Sequence, residues 1–409
     1  MEQEEKRRLS PGDILTLKIS KFNKDYWGQA RLGRRKKAIV PGALPGEKVE
    51  AEVVEVWKYR VLTRLTKVIE ASPDRVEAGC PHYATCAGCQ FQTLSYDGQL
   101  ALKKQKVKGH FEFVNFSEPL PEIKMVPSRT PYQYRNSITL HGPGEPGFWQ
   151  VKGRGMVEVQ ECTICVDEIN AALADQRKSN FSEFLDQGID NVMLRASNAG
   201  EIYVGPELYG DEWETWLQEK ITNPLTKEEV TLDVPAHAFW QANTQTLEDL
   251  LAAALLPVKE FNADVFIEAY CGIGVFGLMA APVVKQVVGV EENPRAIEAA
   301  EKNIAKLGLS NHRVQAGKTE EYLNEFLAEQ KGKRISLLVD PPRSGLSKEV
   351  IKMILAHLPE QLVYVSCGPT TFAENLKKLC TYYDIQSMTL VDMFPQTKHI
   401  ESVAVLSRK

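Results

Sequence analysis

Long apolar runs are missing from this sequence: none of its 409 residues lies in a stretch approaching the roughly 18 apolar residues that cross a bilayer. The opening segment Met1 to Arg8 has no apolar signal core, so the chain is expected in the cytoplasm, away from membranes. It has no internal repeat, which argues against a solenoid, and no low-complexity tract, which argues against disorder. An excess of positive charge is also missing. With 49 Lys+Arg against 54 Asp+Glu, a formal net charge of −5, the chain is not a polycation that coats nucleic acid along its whole length. The deficit is uneven, since residues 1–70 carry a net of +6 and the remainder −11. A basic module on an acidic body suggests phosphate contact at that module or, equally, a solvated lysine-rich surface.

What is present is ample for packed cores: 43% of the residues are hydrophobic, and the length suits two or three domains. Leu15, Leu17 and Ile19 alternate with polar neighbours, the segment Pro41 to Glu47 punctuates, and Val49, Ala51 and Val53 resume the alternation, as in a small OB-like barrel. Tyr26 and Trp27 precede Arg31, Arg34, Arg35, Lys36 and Lys37. They are either a stacking surface for single-stranded nucleic acid or barrel-core aromatics beside a solvated hairpin. The eight cysteines read as metal sites or catalysis rather than disulfides. Cys80, Cys86 and Cys89, spaced C-x5-C-x2-C with His82 among them, could join a distant fourth thiol around zinc or an iron-sulfur cluster, and spacing alone leaves both open. A helix is expected from Leu94 to Phe113, a mixed region over 121–235, and a second helix from Asp167 to Leu185.

From Thr244 onward helices alternate with apolar strands: Val265 to Ala269, Gln286 to Val290, Leu337 to Val339 and Leu362 to Val365. That alternation predicts a parallel sheet with crossovers. Glu268 to Gly277 is a strand followed by a glycine-rich turn; Gly272 and Gly274 let backbone approach a ligand at the helix start. Glu291 lies seventeen residues after Gly274, where a carboxylate meets ribose hydroxyls. Glu268 at the strand end would repel a pyrophosphate and suits the ammonium end of S-adenosylmethionine, which favours the methyl donor over NAD. Asp340-Pro341-Pro342-Arg343 ends a further strand, where ligands bind in open α/β sheets.

Cys367, in Ser366-Cys367-Gly368-Pro369 at the end of another strand, separates the candidate chemistries. C5 of uracil is not nucleophilic until something adds at C6, and a thiolate is both a strong nucleophile and a reversible leaving group. After methylation C5 still carries a proton, and Glu401 is the candidate base. The enzymatic alternative is methylation of an adenine or cytosine amino group through Asp340-Pro341-Pro342, which needs no thiol. A non-catalytic RNA-binding protein with a redox-sensing cluster is the alternative of another class.

Ser366-Cys367-Gly368-Pro369, Phe394-Pro395-Gln396-Thr397-Lys398-His399-Ile400-Glu401, Asp340-Pro341-Pro342-Arg343 and Phe239-Trp240-Gln241-Ala242-Asn243 together resemble the signatures of the RNA uridine-C5 methyltransferase family. The resemblance extends to residues 1–70, which are similar to that family's TRAM barrel, with Pro41 to Glu47 the most telling piece. It implies an α/β multidomain protein: TRAM barrel over 1–70, a central α+β domain bearing the cysteines over 71–235, and a class I, Rossmann-like methyltransferase domain over 236–409. The stretch 94–120 is expected to pack on the catalytic domain. Cys367 is implied as nucleophile and Glu401 as base, with Gln241, Tyr270, Gly272, Gly274, Glu291 and Asp340 around S-adenosylmethionine. A 4Fe-4S cluster is implied on Cys80, Cys86, Cys89 and Cys162, with Cys165 as competitor for the fourth place; Cys271 and Cys380 are read as packing residues. Val275 and Gly317 depart from the family pattern, so no contact is assigned to them. The expected partner of this monomer is structured RNA, ribosomal ahead of transfer RNA, and not DNA.

Overall fold

A computed structural model describes residues 9–83, 85–142, 147–151, 155–175, 191–206 and 215–409. Contacts sort the chain into two compact units that do not follow chain order. One comprises Met1–Ala101, His141–Thr163 and Pro395–Lys398; the other comprises Leu102–Leu140, Ile164–Phe394 and His399–Lys409.

The first unit holds a six-stranded sheet of β1 (Ile14–Lys18), β2 (Lys21–Phe22), β3 (Gly28–Leu32), β4 (Lys36–Val40), β5 (Lys48–Val56) and β6 (Arg60–Glu70), in the order β1-β5-β6-β4-β3-β2. Alternation along β1 and β5 puts Leu17, Val49 and Ala51 into a core with Ile19, Ala38 and Val40. Below it the Glu47 carboxylate is fully buried, accepts from the Leu44 N–H at 2.8 Å and pairs with Arg75. Those bonds hold its pKa below the ordinary carboxylate value against the opposing effect of burial.

Helix α1 (Tyr96–Phe113) follows, then β7 (Ile123–Val126), β8 (Ser137–His141) and the short hairpin of β9 (Phe148–Trp149) and β10 (Met156–Val157). Helix α2 is described over Asp167–Asp175; the rest of the helix expected to Leu185 lies outside the described residues. Antiparallel pairs β11 (Asn191–Ala196) with β12 (Ile202–Pro206), and β13 (Trp216–Thr222) with β14 (Glu229–Pro235), lead to α3 (Thr244–Phe261). The Asn243 side chain caps α3 by accepting from Thr246 N–H at 3.1 Å.

The C-terminal half then alternates as its periodicity predicts: β15 (Val265–Ala269), α4 (Val275–Ala280), β16 (Gln286–Glu291), α5 (Pro294–Lys306), β17 (His312–Ala316), α6 (Thr319–Glu329), β18 (Ile335–Val339), α7 (Lys348–His357), β19 (Gln361–Ser366), α8 (Pro369–Leu379), β20 (Tyr383–Val391) and β21 (Glu401–Arg408). These strands and β7 form one sheet in the order β17-β16-β15-β18-β19-β21-β20-β7. The first five run parallel, and β21 is antiparallel to both neighbours. Strands β15, β18 and β19 are buried at every residue, as expected of parallel strands with helices on both faces. Val107 and Phe111 of α1 join the core of this sheet, and β7 pairs with β20. The order reverses between β15 and β18, and at such a switch point loops diverge to leave a crevice beyond the strand ends.

Candidate active site

That crevice is a cavity of about 1140 Å³ within the second unit, and Gln241, Tyr270, Gly272, Glu291, Asp340, Cys367 and Glu401 all line it. Gly274 does not; it caps the start of α4 in the left-handed region, at φ 77°, and shapes the turn from beneath. Tight apposition continues at Gly277, whose N–H donates to Glu268 Oε2 at 2.7 Å. A Cβ there would stand 2.7 Å from that same oxygen, so only glycine lets the carboxylate reach the helix backbone.

The cofactor end is acidic and buried. Burial pushes the Glu268 carboxyl up to about 8, opposed by the N–H groups of Gly277 and Phe276 and reinforced by the charge of Asp340. Asp340 is partly open to the cavity, yet burial raises it to about 7. Glu291 accepts from Gly272 N–H at 3.0 Å and Asn293 N–H at 2.9 Å, which fixes the carboxylate at the end of β16. Three carboxylates in a low-dielectric cleft favour a cationic guest, and S-adenosylmethionine, with ammonium and sulfonium centres and a ribose diol, fits that donor set. The departure at Gly317 has a steric cause: its φ is +144° and a Cβ would stand 2.2 Å from the Tyr322 ring, so no polar side chain has room.

Sheet register brings the candidate nucleophile and candidate base together. Ser366 pairs with Ser402 across β19 and β21, so Cys367 and Glu401, one step further toward the crevice, face each other although 34 residues separate them. Burial raises the Cys367 thiol above its usual range and the Glu401 charge adds to this, while Arg343 opposes both by its charge and by a hydrogen bond to the thiol. Glu401 is 5% exposed; burial, then Asp340, push its carboxyl well above the ordinary value, and Arg343 pulls it down. Arg343 also donates to His399 Nδ1 at 3.4 Å. Arg343 was quoted in the sequence only as part of a signature, and its place between thiol and carboxylate emerges from the fold. Phe239, also quoted only within a signature, is 77% exposed at the cavity wall, an exposure that the sequence does not encode locally.

In the first unit, Tyr26 is 7% exposed and meets Phe91 edge-on at 5.0 Å. This ring is thus buried against an aromatic beyond the barrel strands rather than within the barrel's own core cluster, and Tyr26 offers no stacking face. Cys80, Cys86, Cys89 and Cys162 lie within one another's electrostatic field, and burial, the largest effect on the first three, pushes Cys89 to about 12. As thiolates they would repel one another unless a positive centre lay among them. Among the described residues, however, no three His, Cys, Asp or Glu side chains are arranged to hold a metal ion. The donor chemistry suits an iron-sulfur cluster while the expectation of one lacks support from ligand geometry, and no catalytic step is routed through it. Cys165 is fully buried, its carbonyl accepting from Asn170 Nδ2 at 3.4 Å; Cys271 and Cys380 are buried as well. No described helix is long and apolar enough to cross a membrane.

Comparison with known proteins agrees with this geometry. The tRNA (Uracil-5-)-methyltransferase family model matches residues 215–409 and the TRAM domain model residues 8–61. An uncharacterized RNA methyltransferase of Halalkalibacterium halodurans is 31% identical, covering 98% of each chain. Another, of Listeria innocua, is 30% identical over 92% of this chain and 94% of its own. The crystal structure of Pyrococcus abyssi tRNA (uracil-54, C5)-methyltransferase with S-adenosyl-L-homocysteine superposes with a TM-score of 0.71 at 25% identity, covering 96% of this chain and 100% of that one. With a TRAM domain, a Rossmann-like catalytic sheet and relatives that span nearly its whole length, the chain belongs to the RNA (uracil-5-)-methyltransferase family.

Proposed function

We propose that this RNA (uracil-5-)-methyltransferase works through a covalent bond between Cys367 and C6 of the target uridine, with Glu401 removing the C5 proton. The observation that carries this reading is the register of β19 and β21, which sets the thiol against the carboxylate in the cavity lined by Glu268, Glu291 and Asp340. S-adenosylmethionine, when bound, supplies an electrophilic methyl group. Gln241, Tyr270, Gly272, Glu291 and Asp340 hold that donor; Gly274 shapes their loop. Arg343 offsets the negative charge as the thiol ionises. Cys367 then attacks C6 as a thiolate, the C5–C6 π pair moves into an enolate over C4–O4, and C5 takes the methyl group as its bond to the sulfonium breaks and the donor sulfur leaves as a neutral thioether. Glu401 accepts the C5 proton, the double bond re-forms and the C6–S bond breaks, returning the thiolate. Arg343 draws the Glu401 carboxyl toward the ionised form that a base requires, and once ionised this buried carboxylate is a stronger base than an exposed glutamate. The uridine must leave its stack to reach the cavity.

The basic barrel of residues 1–70 serves as RNA grip, the cysteine-bearing region 71–235 as connector and 236–409 as catalytic domain in this reading. The TRAM match supports RNA as partner. Ribosomal RNA, the expectation from sequence, competes with transfer RNA, which the family description and the archaeal structure name. Mass mapping of both RNA pools from cells with and without the protein tests the reading: one or more 5-methyluridines should disappear in its absence, and loss of N-methylated adenine or cytosine instead would overturn it.

We further propose that Cys80, Cys86, Cys89 and Cys162 hold a 4Fe-4S cluster that shapes the RNA-binding region. Anaerobically purified protein is then expected to be brown and to contain about four irons per chain. Cys162→Ser should lower the iron content more than Cys165→Ser, because the Cys162 thiol shares the field of the other three. Stoichiometric zinc, or the reverse order of the two variants, would contradict the assignment.

A further inference from the structure

We infer that the barrel carries a subsite for one unstacked nucleotide, in which Tyr59 takes the base and Lys37 and Arg60 take the adjoining phosphates. The inference rests on the reading of this chain as an RNA enzyme, and it names a place on the first unit that the site in the second does not use. The barrel has a concavity of about 470 Å³ between the β2–β3 turn and the starts of β4 and β6, within the size range of small-ligand pockets and large enough for a nucleotide. Its floor is Gln29 and Ile39, both buried.

Charge distinguishes this concavity. Lys21, Lys24, Arg35, Lys37 and Arg60 line it against the single carboxylate of Asp25. Elsewhere in the same unit Lys48, Arg64 and Arg75 are each paired with a glutamate, but among the described residues none of these five cations has an ion-pair partner. Unneutralised cations at a concave site are a phosphate-binding arrangement. Backbone pairing sets two of them at the rim beside an aromatic ring: Lys37 stands opposite Arg60 in the parallel β4–β6 pair, and Lys37 N–H donates to Tyr59 O at 3.1 Å.

Tyr59 supplies what a phosphate site alone would not have. The residue is 50% exposed, and the Lys58 ammonium lies 5.2 Å from its ring centroid. The other ring lining the concavity, Phe22, is half-buried and meets Tyr26 at 6.2 Å. Tyr59, with the Lys58 cation beside it, is the more exposed of the two and the one offered to a base. Duplex RNA hides its base faces in the stack, so an aromatic platform beside cations selects single-stranded or extruded nucleotides.

The test is fluorescence anisotropy of the full-length protein with a labelled single-stranded oligouridylate of eight nucleotides and with an RNA duplex of equal length, over a range of salt. Tyr59→Ala should weaken single-strand binding about 5- to 150-fold with little change in salt slope, leave duplex binding near the unaltered value, and spare S-adenosylmethionine affinity. Tyr59→Phe, which keeps the ring, should bind single strands as the unaltered protein does. Lys37→Gln combined with Arg60→Gln should lower the salt slope by about 1.4, two phosphates at about 0.7 each for single strands. Unchanged single-strand affinity in Tyr59→Ala, equal weakening of duplex binding, or failure of Tyr59→Phe to restore affinity would each overturn the subsite. Because binding is read without turnover, absence of 5-methyluridine would refute the catalytic reading and leave this result standing.

Discussion

Cys367→Ala is expected to lower methyl transfer to RNA by about 10⁴-fold or more, because without addition at C6 the C5 carbon never becomes a nucleophile. Donor affinity should persist, since the carboxylates of the cofactor end are untouched. Glu401→Gln should behave differently. Addition and methyl transfer remain possible, but proton removal at C5 slows by about 10²- to 10⁴-fold, so the enzyme accumulates as a methylated RNA adduct that survives denaturation. Denaturing gels with RNA labelled in the methyl group read both outcomes at once: no adduct for the cysteine variant, and a labelled adduct for the glutamine variant. If Glu401→Gln released methylated RNA at the normal rate, the proton would have another acceptor.

The affinity for S-adenosylmethionine should rise steeply with pH between about 6 and 8. Burial holds Glu268 and Asp340 protonated below about 8 and about 7 respectively, and a cationic donor binds best when these groups are charged. Each group can contribute up to about tenfold per pH unit below its pKa, so a gain of about 10- to 100-fold is expected, with proton release on binding. The sign for stability is opposite. A carboxyl raised on folding favours the folded apoprotein at pH below its ordinary value, and that advantage is lost as pH rises through 7 to 8. The donor should therefore stabilise the protein against heat more at pH 8 than at pH 6. Asp340→Ala should weaken donor binding about 10- to 100-fold and flatten the lower part of the profile. A flat profile in unaltered protein, measured by calorimetry in two buffers of different ionisation enthalpy, would mean that the cluster does not meet the donor's charge.

The parallel half of the sheet was legible because buried strands and amphipathic helices have distinct periods: Val265–Ala269 matches its expected bounds, and the strand expected over Gln286 to Val290 runs one residue further, to Glu291. Strand β7 was not legible as a neighbour of β20, since their pairing joins residues more than 250 positions apart and no local pattern encodes that. The same long-range order hid the role of Arg343, which depends on β18, β19 and β21 ending together. Seven of the eight catalytic and cofactor residues chosen from sequence line one cavity, because strand ends and glycine turns mark ligand sites in this architecture. Tyr26 and Tyr59 show the limit at the barrel. Proximity to arginines in the chain left Tyr26 open as either a platform or a buried ring, and the turn folds that ring inward at φ 62°, while Tyr59 is 50% exposed.

The covalent mechanism is tested most directly with substrate RNA carrying 5-fluorouridine at the methylated position. Cys367 can add at C6 and C5 can take the methyl group, but fluorine cannot leave as a proton, so Glu401 has nothing to remove and elimination stops. Intact mass analysis of the denatured enzyme should show one RNA chain plus one methyl group bound per protein, and peptide mapping should place the link at Cys367. Unmodified enzyme mass after incubation with such RNA, in a preparation that fully methylates the same RNA containing uridine, would contradict the account.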